Sequence, residues 1–385
     1  MKKHSKFVKI IMFCACLIGF VAFAVLFTKM QYNQNEIVFK GNSDGAMFMG
    51  NLKRTGVTQA GGPSVFNEVV WQFKTGDRIV ATPAVDRETV FFSSMDNYLY
   101  ALDLNNGDLR WKFKGDEFFS SSPAVSGDLV FIGSHVGTFY AINSASGEEI
   151  WNFKGREGRI YSSPAVYEGI VYFACGRYLY ALNAKTGREL WRYKGQDLIV
   201  SSPAIHDGTI FFGDYSRFLY AADTKTGKIV WKLELKKGMQ LKGNAPALSD
   251  GSLYIIDSSY GDSYLRSINS KTGQQIWELT YDTRLTSLAV SGDILYCKSS
   301  KNIFAVNLKN GSFISKLEVD SPIYSPMTLS NNIIYVGGKP YFYALDAQLD
   351  KIIFRLDFGH LESGSVVSDG IVIFGTEQGN LYAIR

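Results

Sequence analysis

The chain contains six tryptophans, Trp71, Trp111, Trp151, Trp191, Trp231 and Trp277, and the first five are spaced 40 residues apart. A fixed period near 40 marks a propeller or a solenoid, because a single unit of that size cannot bury its apolar face alone. An eleven-residue run ends on each tryptophan except the first: ALDLNNGDLRW from Ala101, AINSASGEEIW from Ala141, ALNAKTGRELW from Ala181, AADTKTGKIVW from Ala221 and SINSKTGQQIW from Ser267. Two worn copies follow, AVNLKNGSFIS from Ala305 and ALDAQLDKIIF from Ala344, with Ser315 and Phe354 in the tryptophan register. Within each run Asp or Asn opens a turn, because its short side chain can bond the backbone two residues on. Gly107, Gly147, Gly187, Gly227 and Gly273 supply the positive φ that such a turn needs.

One period reads as four short, turn-bounded strands. Between Trp151 and Trp191 these are a Ser-Ser-Pro-Ala-Val strand at 162–166, IVYFA at 170–174, YLYALN at 178–183 and ELWRY at 189–193. The proline recurs at 83, 123, 164, 203, 246 and 326, and the register degenerates at Leu288 and Ser365. Proline lacks a donor and belongs at a strand start or an edge, which places this strand first in its unit, facing the axis. A tight Gly/Asp hairpin turn follows it each time.

The count of strands decides between an open stack and a ring. First strands and third strands each number eight, but fourth strands reach eight only if VVWQF at 69–73 is included. The chain stops after a third strand at Arg385. The two ends complement each other, so the N-terminal strand should fill the last unit and remove the open edge. The expectation is an all-β, eight-bladed β-propeller of four-stranded blades over 68–385, preceded by a linker and lead-in at 31–67. Each indole should pack against the adjoining blade and be buried there. A buried one removes about 150–250 Å² from water, worth several kcal/mol at ~25 cal/mol per Å².

Residues 1–30 differ from the rest. Lys2, Lys3, Lys6 and Lys9 precede an uncharged apolar run from Ile10 to Phe27. Eighteen such residues are just enough to cross a bilayer as one helix, and the basic flank should remain cytoplasmic, with the propeller on the far side, periplasmic or at the cell surface. The expectation is therefore a single-pass bacterial membrane anchor over 10–27; cleavage after Ala24, in the A-x-A pattern Ala22-Phe23-Ala24, would instead give a secreted protein. The head holds five Lys and no acid, which leaves 35 basic against 36 acidic residues in the remainder. A near-neutral body has no electrostatic footprint for nucleic acid. Cys14 and Cys16 lie in the apolar run, and Cys175 and Cys297 lie in distant repeats, so no disulfide framework is implied.

The run Ala-x-Asp/Asn-x-x-x-Gly-x-x-x-Trp, with Ser-Pro-Ala-Val strands and Leu-Tyr-Ala between them, resembles the pyrroloquinoline-quinone-type (PQQ-like) β-propeller repeat. MFMGNLKRTG at 47–56 also resembles a lead-in common in that family. One branch holds quinoprotein dehydrogenases that bind the quinone with calcium or a lanthanide. The other holds non-enzymatic scaffolds, among them the propeller lipoprotein of the bacterial outer-membrane assembly machinery. The enzymes are longer and carry adjacent cysteines over the cofactor and a carboxylate–amide set for the metal. No adjacent cysteine pair occurs here and no convergent Glu/Asn/Asp set is apparent, so the resemblance is closer to the scaffold branch. It implies a protein-interaction propeller in envelope assembly, with no cofactor, no metal and no catalytic residue. PQQ with calcium belongs only to the alternative, an oxidoreductase-like protein; a small-ligand or glycan-binding propeller is the third reading.

No metal spacing, nucleophile elbow or phosphate loop occurs. His135 and His206 fall in turns and read as solvated. The tyrosines at 100, 140, 180, 220, 343 and 382 repeat in register, which is what packing predicts. The loops from each outer strand to the next inner strand should line one face. The first five carry Arg78, Arg156, Arg159, Lys236, Lys237 and Lys242; the last three lean acidic with Asp282, Glu318, Asp320, Asp357 and Glu362. This predicts a partner-binding rim with built-in orientation, in which Phe118, Phe119 and Tyr161 are the candidate aromatic anchors.

Overall fold

A computed structural model describes residues 46–385 apart from 59, 237–244 and 259–260. The anchor expected at 10–27 and the rim residues Lys237 and Lys242 therefore lie outside the described residues. Among the described residues no helix is long and apolar enough to cross a membrane.

Thirty-two strands form eight antiparallel four-stranded sheets. Seven sheets are built from consecutive strands, and the eighth joins Val69–Lys74 to Asn380–Ile384, Ile371–Gly375 and Val366–Ser368. Val69 pairs with Ile384 and Lys74 with Asn380. The inner strands of successive blades touch all the way round, including Val366–Ser368 of blade 8 against Ala84–Asp86 of blade 1. The ring is closed by its two ends, as the strand count predicts. The first strands are shorter than expected: Ala165–Tyr167 starts after Pro164, not at Ser162. Proline cannot donate to the ladder, and the preceding serines bond between blades instead. Thr82 N donates to Ser122 Oγ (3.0 Å), Ser122 N to Ser163 Oγ (3.1 Å) and Ser163 N to Ser202 Oγ (2.9 Å), a chain that links blades 1 to 4 near the axis.

The tryptophans hold the outer joints. Each indole lies on the turn glycine of the next blade, and a Cβ at Gly107, Gly147, Gly187, Gly227 or Gly273 would fall within 2.6–2.8 Å of it. Its Nε1 donates across the same joint: Trp71 to Leu104 O (2.8 Å), Trp151 to Ala184 O (3.0 Å), Trp191 to Thr224 O (2.8 Å), Trp231 to Ser270 O (2.8 Å) and Trp277 to Leu308 O (3.1 Å). The expected burial needs correction. Trp71 and Trp111 are buried, but Trp151, Trp191, Trp231 and Trp277 are only half-buried. The fourth strand is the outer edge of its blade, so one face of the indole covers the glycine turn while the other meets solvent. The several kcal/mol estimated for a fully buried indole is therefore too large for these four. The two worn copies follow the same logic. Blade 7 has Asp350 where the glycine stands, and blade 6 has Ser315 in place of tryptophan; Ser315 Oγ still donates to Gln348 O (3.0 Å). Blade 8 has no third-to-fourth-strand turn, and there Phe354 packs on Phe66 instead (6.4 Å).

The lead-in is not a spacer. Ala46–Thr58 runs along the inner strands and fills hydrogen-bonding positions on their axial edges. Ala46 O accepts from Val125 N, Leu52 O from Ile205 N, Lys53 O from Leu248 N, Thr55 O from Val290 N and Gly56 O from Leu329 N, each at 2.7–2.9 Å. Inner strands would otherwise point unpaired N–H groups at the axis. Arg54 is fully buried and donates to the carbonyls of Phe48, Ser163, Pro164 and Pro203. Burial lowers its pKa to about 9, which leaves it charged at neutral pH.

Candidate functional site

The repeated tyrosines are core, as their register predicts: Tyr100, Tyr140, Tyr180, Tyr220 and Tyr343 are buried, and Tyr382 is half-buried. Their hydroxyls also place the rim loops. Tyr140 accepts from Asp116 N (3.1 Å), Tyr180 accepts from Arg156 N (3.0 Å), and Tyr343 donates to Asp320 (2.6 Å). Burial and the Asp116 carboxylate push the Tyr140 hydroxyl up to about 12, so it stays protonated.

Six rim loops are also latched to the second-to-third-strand turn of the blade they enter. Met95 N donates to Arg78 O, His135 N to Phe118 O, Gly176 N to Arg159 O, Tyr215 N to Leu198 O, Lys339 N to Pro322 O and Glu377 N to His360 O, at 2.9–3.2 Å. The fold thus puts two residues side by side at each of these six joints and leaves their chemistry to the local sequence.

On blades 2 to 4 that chemistry is aromatic and basic. Phe118 stacks on His135 (4.2 Å), Tyr161 of the next loop meets His135 edge-on (5.3 Å), and Arg159 Nη1 donates to the Tyr161 hydroxyl (3.1 Å). A hollow of about 230 Å³ follows, lined by Gly158, Arg159, Tyr161, Gly176, Leu198 and Val200. Tyr161, Leu198, Tyr215 and Val136 are exposed beside it, and so are Arg156 and Arg159. Burial, then Arg159, lower the pKa of His135, so the stack is neutral at physiological pH. His135 is therefore half-buried in an aromatic stack and not a solvated turn residue.

Two further expectations need correction. Phe119 is fully buried: it bridges Ser134, packs edge-on against Tyr140 (6.1 Å), and cannot be an anchor. Buried Ile160 is flanked by exposed Arg159 and Tyr161, whereas Val200, after buried Ile199, is itself buried. The acidic side is partly neutralised, because Asp320 pairs with Arg355. Among the basic residues, Arg78 lies 3.9 Å from both Asp77 and Glu377, and Lys236 is exposed and pairs with Glu278 (2.6 Å). Leu198 and Tyr215 escaped the sequence reading, since an apolar loop residue has the same signature whether it faces in or out.

The axis holds a second cavity, of about 240 Å³, between the lead-in and blades 1, 7 and 8. Quinone with calcium requires carboxylate and amide oxygen donors, and among the described residues the lining is Ala, Gly, Val, Met, Pro, Ser and Thr without a charged or amide side chain. The described lining residues do not fit that pair.

Comparison with known proteins agrees with the repeat. The family model described as outer membrane protein assembly factor BamB matches residues 66–198 and 177–385. BamB from Moraxella catarrhalis superposes with TM-score 0.68 at 18% identity, covering 83% of this chain and 97% of that one. A europium-containing methanol dehydrogenase gives 0.74 at 12%, covering 88% and 98%. The computationally designed protein Ika8 gives 0.72 at 16%, covering 83% and 99%. No curated protein matches the chain. The structural likenesses carry the fold alone, whereas the family match spans all eight blades: the chain belongs to the PQQ-like propeller family of the outer membrane protein assembly factor BamB.

Proposed function

We propose that this chain is a membrane-anchored, extracytoplasmic scaffold of envelope assembly that docks a protein partner on the rim of blades 2 to 4. Residues 10–27 tether it, 31–67 are the linker and lead-in, of which Ala46–Thr58 bonds to the inner strands, and 68–385 present the surface. The observation that carries the docking site is the run of exposed Tyr161, Leu198 and Tyr215 around a preformed hollow, flanked by Arg156 and Arg159. Tyrosine and arginine with an apolar neighbour are the residues that dominate binding energy at protein interfaces. A loop pinned by a tyrosine hydroxyl below and a backbone latch beside it loses little entropy on binding. The basic flank favours a partner segment carrying carboxylates next to an apolar side chain that fills the hollow. The family's name supports a partner within outer-membrane protein assembly.

The test is crosslinking and affinity purification of full-length protein from its own membranes, with Arg156→Glu/Arg159→Glu as the comparison. Recovery of the partner should fall at least tenfold in the variant, and further with Tyr161→Ala. Equal recovery from wild type and variant would remove this site.

A further inference from the structure

We propose that His135 gates the docking site on blades 2 to 4: a proton on its imidazole opens the stack that holds Tyr161 in place, and the partner is released in acid. This rests on the docking function just proposed. Tyr161 forms one wall of the hollow, and the stack is what supports that wall. Phe118 lies on the face of His135 (4.2 Å, 27°), and Tyr161 meets the same ring edge-on (5.3 Å, 84°). The latch from His135 N to Phe118 O (2.9 Å) fixes the first contact. Arg159 Nη1, donating to the Tyr161 hydroxyl (3.1 Å), orients the second.

The geometry suits a neutral ring and not a charged one. Nδ1 of His135 is buried and has no hydrogen-bond partner. A lone pair left bare there costs less than the N–H that a charged ring would place on that atom, because a charged donor without an acceptor carries the larger desolvation penalty. Few charges nearby can compensate. The loop entering blade 2 brings Asp116 and Glu117, but Asp116 accepts from Thr138 and faces Lys154 (3.6 Å). The loop entering blade 3 brings Arg156, Glu157 and Arg159, and Glu157 is engaged by Arg177 through two hydrogen bonds (2.9 and 3.0 Å). The turn of His135 itself, 134–137, carries no other charge. Glu117 and Arg159 are left to oppose each other, and burial with Arg159 prevails, holding the imidazole pKa below its ordinary value. Attraction of a cation to the Phe118 face favours charge, but it supplies no acceptor to the buried nitrogen.

A partner side chain seated against Tyr161 would cover the stack and dry it further, so docking and the neutral ring favour each other. Linkage makes this reciprocal: by whatever factor a bound partner resists the proton, the proton weakens docking. The sign follows from the direction of the shift. The ring is neutral and the site intact at and above the ordinary imidazole value of 6.5, and the site is lost as the pH falls through the lower folded value. Arg156 and Arg159 keep their charge over this range, so the loss is not theirs. On the extracytoplasmic side proposed for the propeller the pH follows the surroundings, and histidine is the side chain whose ordinary range lies there.

The first measurement needs no partner. The full-length chain in detergent, carbon-13 labelled at the histidine Cε1 and the tyrosine rings, is titrated from about pH 8 to about pH 5 and followed by NMR, with His135→Phe and Tyr161→Phe to assign the signals. His135 should titrate with a midpoint below 6.5, and the Tyr161 ring signal should shift with the same midpoint in wild type and stay fixed in a folded His135→Phe. The second measurement follows the species that crosslinks to wild type and is lost from Arg156→Glu/Arg159→Glu. Its recovery on wild type should fall at least fivefold between about pH 7.5 and about pH 5, and on His135→Phe should change less than twofold. A Tyr161 signal indifferent to the His135 titration, or arginine-dependent recovery that is equal at the two pH values, would overturn the gate and leave the docking site standing. Absence of any arginine-dependent species at about pH 7.5 would instead remove the docking site, and the gate with it.

Discussion

Gly187 and Trp151 meet across the joint between blades 2 and 3, and each is explained by the other. A Cβ on Gly187 would lie 2.7 Å from the indole, on a backbone with φ of 68°. Gly187→Ala should therefore lower the free energy of unfolding by about 2 kcal/mol, combining left-handed strain with overpacking. Urea denaturation of the wild type and variant checks this; a loss below about 0.5 kcal/mol would mean that the indole can lift away. The pairing was half visible in the repeat, where Trp and Gly recur together. What the linear pattern hides is that the partners belong to successive blades, so Ser315 and Phe354 look like decay when each matches its neighbour. Nor does the pattern show how deep a ring sits: Trp111 and Trp231 end the same run in sequence, yet one is buried and the other half-exposed to solvent. The same blindness affects adjacent rim residues. Phe118 and Phe119 are chemically equal in sequence, and only the latch decides which one turns inward.

Among elements, the lead-in departs most from expectation. Its residues have turn chemistry and no period, because a segment that touches a different blade every one or two residues has no constant environment to reflect. Its bonds are mostly from backbone carbonyls, which carry no sequence signal at all. Arg54 is the side chain that ties it down. Replacing it with methionine keeps the volume but strips donors from four buried carbonyls. The expected loss is about 3 kcal/mol or more, each abandoned buried group costing about 1–3 kcal/mol. Thermal unfolding is the measurement, and an Arg54→Met variant as stable as wild type would show that water or the chain itself resolves these groups. The second, third and fourth strands of the unit, by contrast, were legible almost to the residue, since a unit repeated eight times averages out local ambiguity.

For the molecule as a whole, closure by Val69–Lys74 is the property that separates a ring from a stack. Deleting this strand would leave Asn380–Ile384 as an unpaired edge, and open edges pair with other chains. Such a variant should form concentration-dependent oligomers in size-exclusion chromatography, whereas the intact chain does not do so through this edge; a monodisperse, monomeric variant would mean that another segment covers it. Closure has a further result. Glu68 and Arg385 form an ion pair although they are 317 positions apart, so the strand Val69–Lys74 waits for Asn380–Ile384 before its ladder exists. A chain cut short anywhere in the body cannot form that seam, however well its other blades fold. The seam therefore acts as a checksum on the ring: until Asn380–Ile384 lies beside Val69–Lys74, the molecule keeps a frayed edge open to proteases.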